Sequence, residues 1–373
     1  MKFQCEKYVL DAAVSTASRA AAAKSPQPAL EGLLLEASLE GGVRITGYDL
    51  KKGIYTDIPA DVSKAGSIVL PAKMFGEIVR KLPDGFVTVV SDDHFKTHIN
   101  CGKADYDIMG SDSEDYPALP DMDEHTTDIV LRQEVLGRMV RETAFAVSDN
   151  ESRPIYTGEL LECAEGRLTM VALDGYRLAL RRENVESCSA ESVTVIIPGT
   201  ALSDVEKLCT DEEDTVRLSV GMKHVCFRLN NTTLLSRKLE GEFLNYRKTV
   251  PTEFAISLKG ARTELIRCAD RVSLIIDDRT KNPLRCQFGN GNLNISSATP
   301  LGRAEDNCPL EGDGKDTVVG FNNSYLLQAL KAAPADSLLI NINNGTSPCV
   351  LQSADGNDSF VYMILPVRLR SGE

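Results

Sequence analysis

A long internal repeat constrains this chain more than any other feature. One stretch reads Pro28-Ala29-Leu30-Glu31-Gly32-Leu33-Leu34-Leu35-Glu36, and another reads Pro154-Ile155-Tyr156-Thr157-Gly158-Glu159-Leu160-Leu161-Glu162. The shared frame, Pro-x-x-x-Gly-x-Leu-Leu-Glu, recurs after 126 residues. A weaker copy begins 129 residues further on, at Pro283-Leu284-Arg285-Cys286. Solenoid repeats run roughly 20–50 residues, so a period this long marks a duplicated domain. A chain of 373 residues has room for three such domains. Three alike domains in a row suggest a scaffold built by symmetry, and they raise the question of what that scaffold surrounds.

Each third repeats one plan. A short strand opens it: Met1 to Phe3, Thr127 to Leu131, and Glu253 to Ser257. An amphipathic helix of about sixteen residues is expected next. Its apolar stripe is Val9, Leu10, Ala13, Val14 and Ala17 in the first third. The second third offers Leu131, Val135, Leu136, Met139, Val140 and Thr143, and the last offers Leu258, Ala261, Leu265, Ile266, Ala269 and Val272. A polar loop leads to the proline frame and to alternating strands such as Val43-Arg44-Ile45-Thr46 and Arg167-Leu168-Thr169-Met170-Val171. A second half follows: a strand (Ser67 to Leu70, Val193 to Ile197, Thr317 to Gly320), a shorter helix, and more strands. Pro71 and Pro198 stand at helix starts, where a missing N–H costs least. The fold class is α+β: three tandem domains, each of two helix-plus-antiparallel-strand units. The boundaries divide the chain into 1–124, 125–251 and 252–373, at the acidic stretch Pro120-Asp121-Met122-Asp123-Glu124 and at Val250-Pro251-Thr252.

Composition narrows the function. Apolar residues are 42% and charged ones 25%, the profile of a folded soluble protein. No run of about 18 apolar residues is present, so no membrane partner is expected. The N-terminus carries acidic residues where a signal peptide needs an apolar stretch, so a cytoplasmic location is expected. The ten cysteines contain no Cys-x-x-Cys pair and read as reduced thiols, several of them core filler. His94 and His98 are four apart, but Ser91 to Asn100 alternates like a strand, a poor frame for two metal ligands. Gly289-Asn290-Gly291-Asn292 reads as a hairpin turn, since no helix pattern follows it. Gly314-Lys315 lacks the upstream glycine and the following Ser/Thr of a phosphate loop, because Pro309 and Asp316 stand there. The acidic clusters Asp112-Ser113-Glu114-Asp115 and Asp211-Glu212-Glu213-Asp214 lack the glycine and spacing of a calcium loop and read as solvated turns. No catalytic constellation, metal or cofactor is expected. The net charge of −13, taken alone, argues against nucleic acid as a partner, yet binding depends on where the basic residues sit.

Specific stretches then carry a resemblance. Asp174-Gly175-Tyr176-Arg177-Leu178-Ala179, Arg153-Pro154 before Gly158-Glu159-Leu160-Leu161, Leu239 to Pro251, and Tyr362-Met363-Ile364-Leu365-Pro366-Val367-Arg368-Leu369 occur in order along the chain. Together they resemble the bacterial DNA polymerase III β subunit, the sliding-clamp family. Two departures stand out: Leu244 replaces the proline of that family's Glu-Gly-x-Phe-Pro pattern, and four residues, Arg370-Ser371-Gly372-Glu373, extend the terminus.

The resemblance implies a head-to-tail homodimer whose six domains close into a ring, helices lining the channel and sheets outside, around duplex DNA bound without sequence preference. It implies a non-catalytic processivity factor that tethers the replicative polymerase. Its implied partners are the polymerase III α subunit, a clamp loader, and other polymerases and mismatch-repair or ligase-type factors, bound through short peptides; its place is the nucleoid. The matching peptide-pocket positions are Tyr156, Leu173, Gly175, Tyr176, Arg177, Leu178, Leu244, Lys248, Thr249, Met363, Ile364, Leu365, Pro366, Val367, Arg368 and Leu369. DNA-contacting positions are Lys24, Lys73, Arg138, Arg141, Arg153, Lys207, Arg267, Arg279 and Lys281. Tyr106, Leu274 and Ile275 fall at the dimer interface. A duplicated protein-binding scaffold that does not encircle DNA, or an unrecognised α+β enzyme, are the competing readings.

Overall fold

The structure, a computed structural model, describes residues 1–211, 213–277 and 282–369. They group into two compact units, one formed by 1–134, 186–190 and 204–238, the other by 135–185, 191–203 and 239–373. Seven helices lie among the described residues: α1 (Lys7–Ser18), α2 (Ala72–Lys81), α3 (Gln133–Thr143), α4 (Gly199–Leu208), the single turn α5 (Tyr246–Thr249), α6 (Arg262–Ser273) and α7 (Asn323–Ala332).

The opening helices are shorter than the sixteen residues expected: α1, α3 and α6 have 12, 11 and 12. The preceding strands take the difference, running Lys2–Glu6, Thr127–Arg132 and Ile256–Ala261. Leu131, Leu258 and Ala261 therefore belong to strands and not to the helical stripe. The residues that remain in the stripe are buried as their spacing requires, Leu136, Met139 and Val140 in α3 and Leu265, Ala269 and Val272 in α6.

The first unit holds two antiparallel sheets. One has the strand order Asp61–Lys64, Lys2–Glu6, Phe86–Ser91, Lys96–Cys101, Ala104–Met109. The other has nine strands, in the order Ser187–Cys188, Thr127–Arg132, Thr215–Val220, His224–Leu229, Thr232–Arg237, Lys52–Ile58, Gly42–Tyr48, Gly32–Ser38, Gly66–Pro71. Leu10, Val14 and Ala17 of α1 and Phe75 and Val79 of α2 share one core with Phe3, Leu33, Leu35, Ile45, Val89 and Ile99 from both sheets.

The second unit holds a ten-stranded sheet, in the order Ser192–Pro198, Gly158–Ala164, Arg167–Leu173, Arg177–Asn184, Phe360–Ile364, Cys349–Ser353, Ser337–Ile342, Ile256–Ala261, Gly302–Phe321, Leu284–Thr299. Helices α6 and α7 pack Leu265, Cys268, Val272, Leu326 and Leu330 against its inner face. Gly289 to Asn292 does not form the expected hairpin turn. Strand Leu284–Thr299 runs through it with irregular register, and the chain reverses at Pro300 and Leu301, between the pair Thr299 and Gly302. The glycines there serve a kink inside a long hairpin, a role the sequence signal shares with a turn.

Two strand pairings explain why the compact units do not coincide with the thirds of the sequence. Thr232–Arg237 of the central repeat pairs with Lys52–Ile58 of the first, Leu234 opposite Ile54. Phe360–Ile364 of the last repeat pairs with Arg177–Asn184 of the central one, Met363 opposite Leu178. Each pairing continues a sheet across a junction and covers edges that would otherwise template aggregation. The repeated frame also has a physical cause. Its proline opens a 3-10 turn, Pro28–Glu31 and Pro154–Thr157, and its glycine lets the next strand close in. A Cβ at Gly32 would lie 2.5 Å from Val69 Cγ1, and one at Gly158 would lie 2.5 Å from the Ile197 carbonyl.

Candidate functional site: an apolar groove and the exposed basic residues

The groove begins at a tight turn. Gly175 has φ +94°, a conformation open to glycine and costly to most other residues. The Asp174 carboxylate caps the turn, accepting from the backbone N–H of Tyr176 (2.8 Å) and of Arg177 (3.0 Å). Strand Arg177–Asn184 then leaves with a period of two. Leu178 and Leu180 fall on the same face as their partners Met363 and Val361. These four cluster with Leu173 and Tyr246, and the partly buried Tyr156, Phe243 and Leu365 pack against them. Tyr156 meets the Phe243 ring edge-on at 5.6 Å.

One wall comes from α5 and the segment that leads into it. The Tyr246 hydroxyl donates to Glu162 (2.6 Å), and Arg247 donates to the same carboxylate (2.7 Å). Burial pushes the Glu162 carboxyl up, but these two hydrogen bonds outweigh it and hold the group below its ordinary value. The rim is apolar and open: Tyr176 is 62% exposed, Leu244 39% and Val367 36%. The C-terminal segment is pinned beside it, Leu365 N–H donating to the Tyr176 carbonyl (2.8 Å) and Val367 N–H to the Gly320 carbonyl (2.9 Å). Pro366 is half-buried between these two anchors.

Thus Tyr156, Leu173, Leu178, Met363 and Leu365 come together, with Gly175, Tyr176, Leu244, Pro366 and Val367 as turn and rim. Six expected positions stand apart from this packed cluster. Ile364 turns to the opposite face and is fully buried with Phe360 and Tyr362, because alternate residues of a strand point apart. Arg177 is already engaged: it pairs with Asp174 (3.0 Å), hydrogen-bonds Gln328 and stacks over Tyr325 (4.2 Å). It braces the turn. Lys248 and Thr249 are exposed on α5, capped by Asn245. Arg368 is exposed, while Leu369 leaves the groove to line a separate cleft of about 390 Å³ with Pro283, Arg285 and Arg303. Val361, Leu180, Phe243 and Tyr246 were missed as groove residues. Strand alternation from Leu178 and Met363 would have found the first two, and the aromatic pair in Phe243 to Tyr246 the others.

The basic positions divide by environment. Lys24, Lys73, Arg141, Arg153 and Lys207 are exposed. Arg138 is half-buried and pairs with Glu183 at 3.1 Å, so it ties α3 to strand Arg177–Asn184. Arg267 is exposed and pairs with Glu264 at 2.8 Å. Arg271 pairs with Asp306 at 2.5 Å and Lys331 with Asp270 at 3.1 Å. Lys259 lies on a strand, paired with Glu311 at 3.1 Å. Arg279 and Lys281 lie outside the described residues. The candidate interface residues are open: Tyr106 is on Ala104–Met109, an edge strand of the five-stranded sheet, and Leu274, just after α6, is 85% exposed with Ile275 half-buried beside it. Among the described residues no helix is long and apolar enough to cross a membrane, and no group of three or more His, Cys, Asp or Glu side chains is placed to hold a metal ion.

Three alike α+β domains whose sheets continue from one repeat into the next, with an apolar groove at a junction, define a clamp-type scaffold. Three domain families match in order: the DNA polymerase III beta subunit N-terminal domain over residues 1–120, its central domain over 130–245 and its C-terminal domain over 247–368. A beta sliding clamp from Synechocystis is 32% identical over 391 residues, covering 99% of this chain and 100% of the relative. One from Halalkalibacterium halodurans is 31% identical, with coverage of 99% and 100%. The crystal structure of the DNA polymerase sliding clamp from Bacillus subtilis superposes with a TM-score of 0.92 at 29% identity, covering 99% of this chain and 100% of that one. The chain belongs to the DNA polymerase III beta subunit family, the sliding clamps of DNA replication, and the processivity role of a clamp follows from that membership.

Proposed function

We propose that two copies of this chain close head to tail into a ring around duplex DNA, and that each copy holds partner proteins by short peptides laid in the groove of Leu178 and Met363. The observation that carries the docking role is the groove itself: a buried apolar floor beneath an exposed apolar rim of Tyr176, Leu244 and Val367. Such a surface takes bulky side chains from an extended segment. Occupants are glutamine- and leucine-type peptides from the replicative polymerase α subunit, the clamp loader, other polymerases, and mismatch-repair or ligase-type factors.

Ring closure uses edges that the fold leaves open. Ala104–Met109 ends the five-stranded sheet and Leu284–Thr299 ends the ten-stranded one, and their pairing across subunits would continue the sheet. Tyr106 against Leu274 and Ile275 supplies an aromatic–aliphatic contact for that interface. Lys24, Lys73, Arg141, Arg153 and Lys207 meet phosphates without reading bases, which leaves DNA free to slide. Exposed pairs such as Arg267–Glu264 contribute little to stability and can exchange a carboxylate for a phosphate. The clamp works without catalysis of its own, in the cytoplasm at the nucleoid, with domains 1–124, 125–251 and 252–373.

Truncation before Val367 tests the groove. Peptide binding, expected near micromolar, should be lost while the dimer persists in sedimentation. Normal binding of a polymerase tail peptide by the truncated chain would place the site elsewhere.

A further inference from the structure

The first unit contains a second version of the groove's architecture. Tyr48-Asp49-Leu50-Lys51-Lys52 stands where the central repeat has Leu173-Asp174-Gly175-Tyr176-Arg177. The Asp49 carboxylate caps the turn as Asp174 does, accepting from Lys51 N–H (2.8 Å) and Lys52 N–H (2.7 Å). Leu50 occupies the glycine position at φ +71°, a conformation a leucine rarely adopts, so the surroundings enforce this turn even without glycine. Lys52 is held by Asp204 as Arg177 is held by Gln328. The strand that follows pairs with Thr232–Arg237, just as the other pairs with Phe360–Ile364. A buried tyrosine also anchors the segment that crosses this surface: the Tyr116 hydroxyl donates to the Thr46 carbonyl at 3.3 Å.

The two places differ where a ligand would sit. Gly53 replaces the leucine at the start of the strand, and a Cβ on it would come within 2.6 Å of Leu119 Cδ2. Leu119, set between Pro117 and Pro120, therefore fills the apolar position from the chain's own linker. Beside it remains a cavity of about 540 Å³, within the range of binding pockets, on the outer face of the nine-stranded sheet. Leu34, Tyr55, Thr233, Leu235 and Met122 line it, and Arg228 stands in its wall.

Four charged side chains line the cavity, Glu36, Arg44, Asp121 and Arg228. Arg44 is committed to Asp57 by two hydrogen bonds, at 2.7 and 2.9 Å, and Glu36 lies near it. Arg228 is exposed, and its guanidinium donates to a hydroxyl, Ser219 Oγ at 3.0 Å. It also lies directly opposite Arg217 across the strands, an unfavourable like-charge pair, with Arg217 bound to Asp128 at 2.9 Å. Among the described residues of the cavity wall, Arg228 is the cation that no carboxylate engages. We propose that this cavity is a second docking site, which takes an extended peptide from a partner protein with bulky apolar side chains next to a carboxylate, the carboxylate meeting Arg228. The site is separate from the Leu178–Met363 groove, so each protomer would carry two docking points of different preference.

The test is a titration of the full-length chain with the fluorescein-labelled hexapeptide Gln-Leu-Ala-Leu-Phe-Asp, read by calorimetric stoichiometry and anisotropy. Two peptides should bind per protomer. Arg228→Glu should weaken one event ~10-fold or more and leave the other unchanged, as expected for loss of a charge-assisted contact. Thr233→Trp, which fills the cavity, should abolish the same event. Truncation before Val367 should remove only the other event, so failure of the first groove and failure of the second are read separately. Arg228→Glu changes an exposed side chain, so it reports even if Thr233→Trp misfolds. A single event per protomer, or two events both indifferent to Arg228→Glu, would overturn the proposal, as would binding at this cavity by a short DNA duplex in place of the peptide.

Discussion

Glu159 is an acidic residue buried completely in the second unit. It occupies the variable position of the repeated frame, where the first repeat has Leu33, and both residues are fully buried. Neither carboxylate oxygen has a hydrogen-bond partner. The nearby Thr143 hydroxyl is committed to the Met139 carbonyl at 2.9 Å. Burial pushes the Glu159 carboxyl up from 4.5 to about 8. The folded chain therefore keeps a proton that the unfolded chain releases above about pH 4.5. Stability from this group is complete below that pH, falls as pH rises towards 8, and is flat beyond. At about 1.4 kcal/mol per pH unit, the loss is about 3 kcal/mol by pH 7 and about 5 kcal/mol by pH 8. Glu159→Leu should remove that slope and stabilise the chain by about 3 kcal/mol at pH 7. Because the chain has no Trp, urea unfolding is best followed by circular dichroism, at pH 5 and pH 8. Other groups titrate too, such as His224, which burial holds below its ordinary value. The quantity to read is therefore the difference between wild type and variant at each pH. A difference that does not change between pH 5 and pH 8 would refute the reasoning.

Three further outcomes follow from the sites. Leu274→Asp with Ile275→Asp should convert the dimer to monomer in sedimentation velocity, and an unchanged dimer would reject this interface. Met363→Glu places a charge against Leu178 and should reduce peptide affinity at least ~10-fold in anisotropy, whereas Ile364→Val, on the opposite face, should leave affinity unchanged and cost about 1 kcal/mol in stability. Lys73→Glu with Lys207→Glu should weaken equilibrium binding to short duplexes and flatten its salt dependence by roughly one phosphate contact per residue.

Much of this architecture was legible because duplication writes one physical solution more than once. The proline frame recurs since each copy needs a 3-10 entry and a glycine under a neighbouring strand. The apolar stripes of α3 and α6 gave the helices, but their N-terminal limits were misplaced: Leu131 and Leu258 fit a helical stripe and a strand face equally well, and periodicity cannot separate the two over so few residues. The glycines at 289 and 291 carry a turn signal that a bulged strand shares. Within the groove, Leu178 and Met363 were recognisable by type, whereas the turn of Ile364 to the opposite face, into the core, depends on the register with Arg177. The engagement of Arg177 by Gln328, 151 residues away, depends on which side chains the fold brings near, and spacing along the chain carries no trace of it. The −13 net charge hid the exposed lysines for the same reason, being a sum over positions that face different surroundings.

The ring proposed above holds DNA by surrounding it. Its most direct test is retention after loading by a clamp loader onto a nicked circular plasmid, followed by gel filtration at moderate salt. The labelled clamp should elute with the circle and be released when a restriction enzyme linearises it, because a ring slides off free ends. Blocking both ends of the linear DNA with bulky protein should restore retention. Equal retention on open-ended linear and circular DNA, or none on either after successful loading, would contradict encirclement.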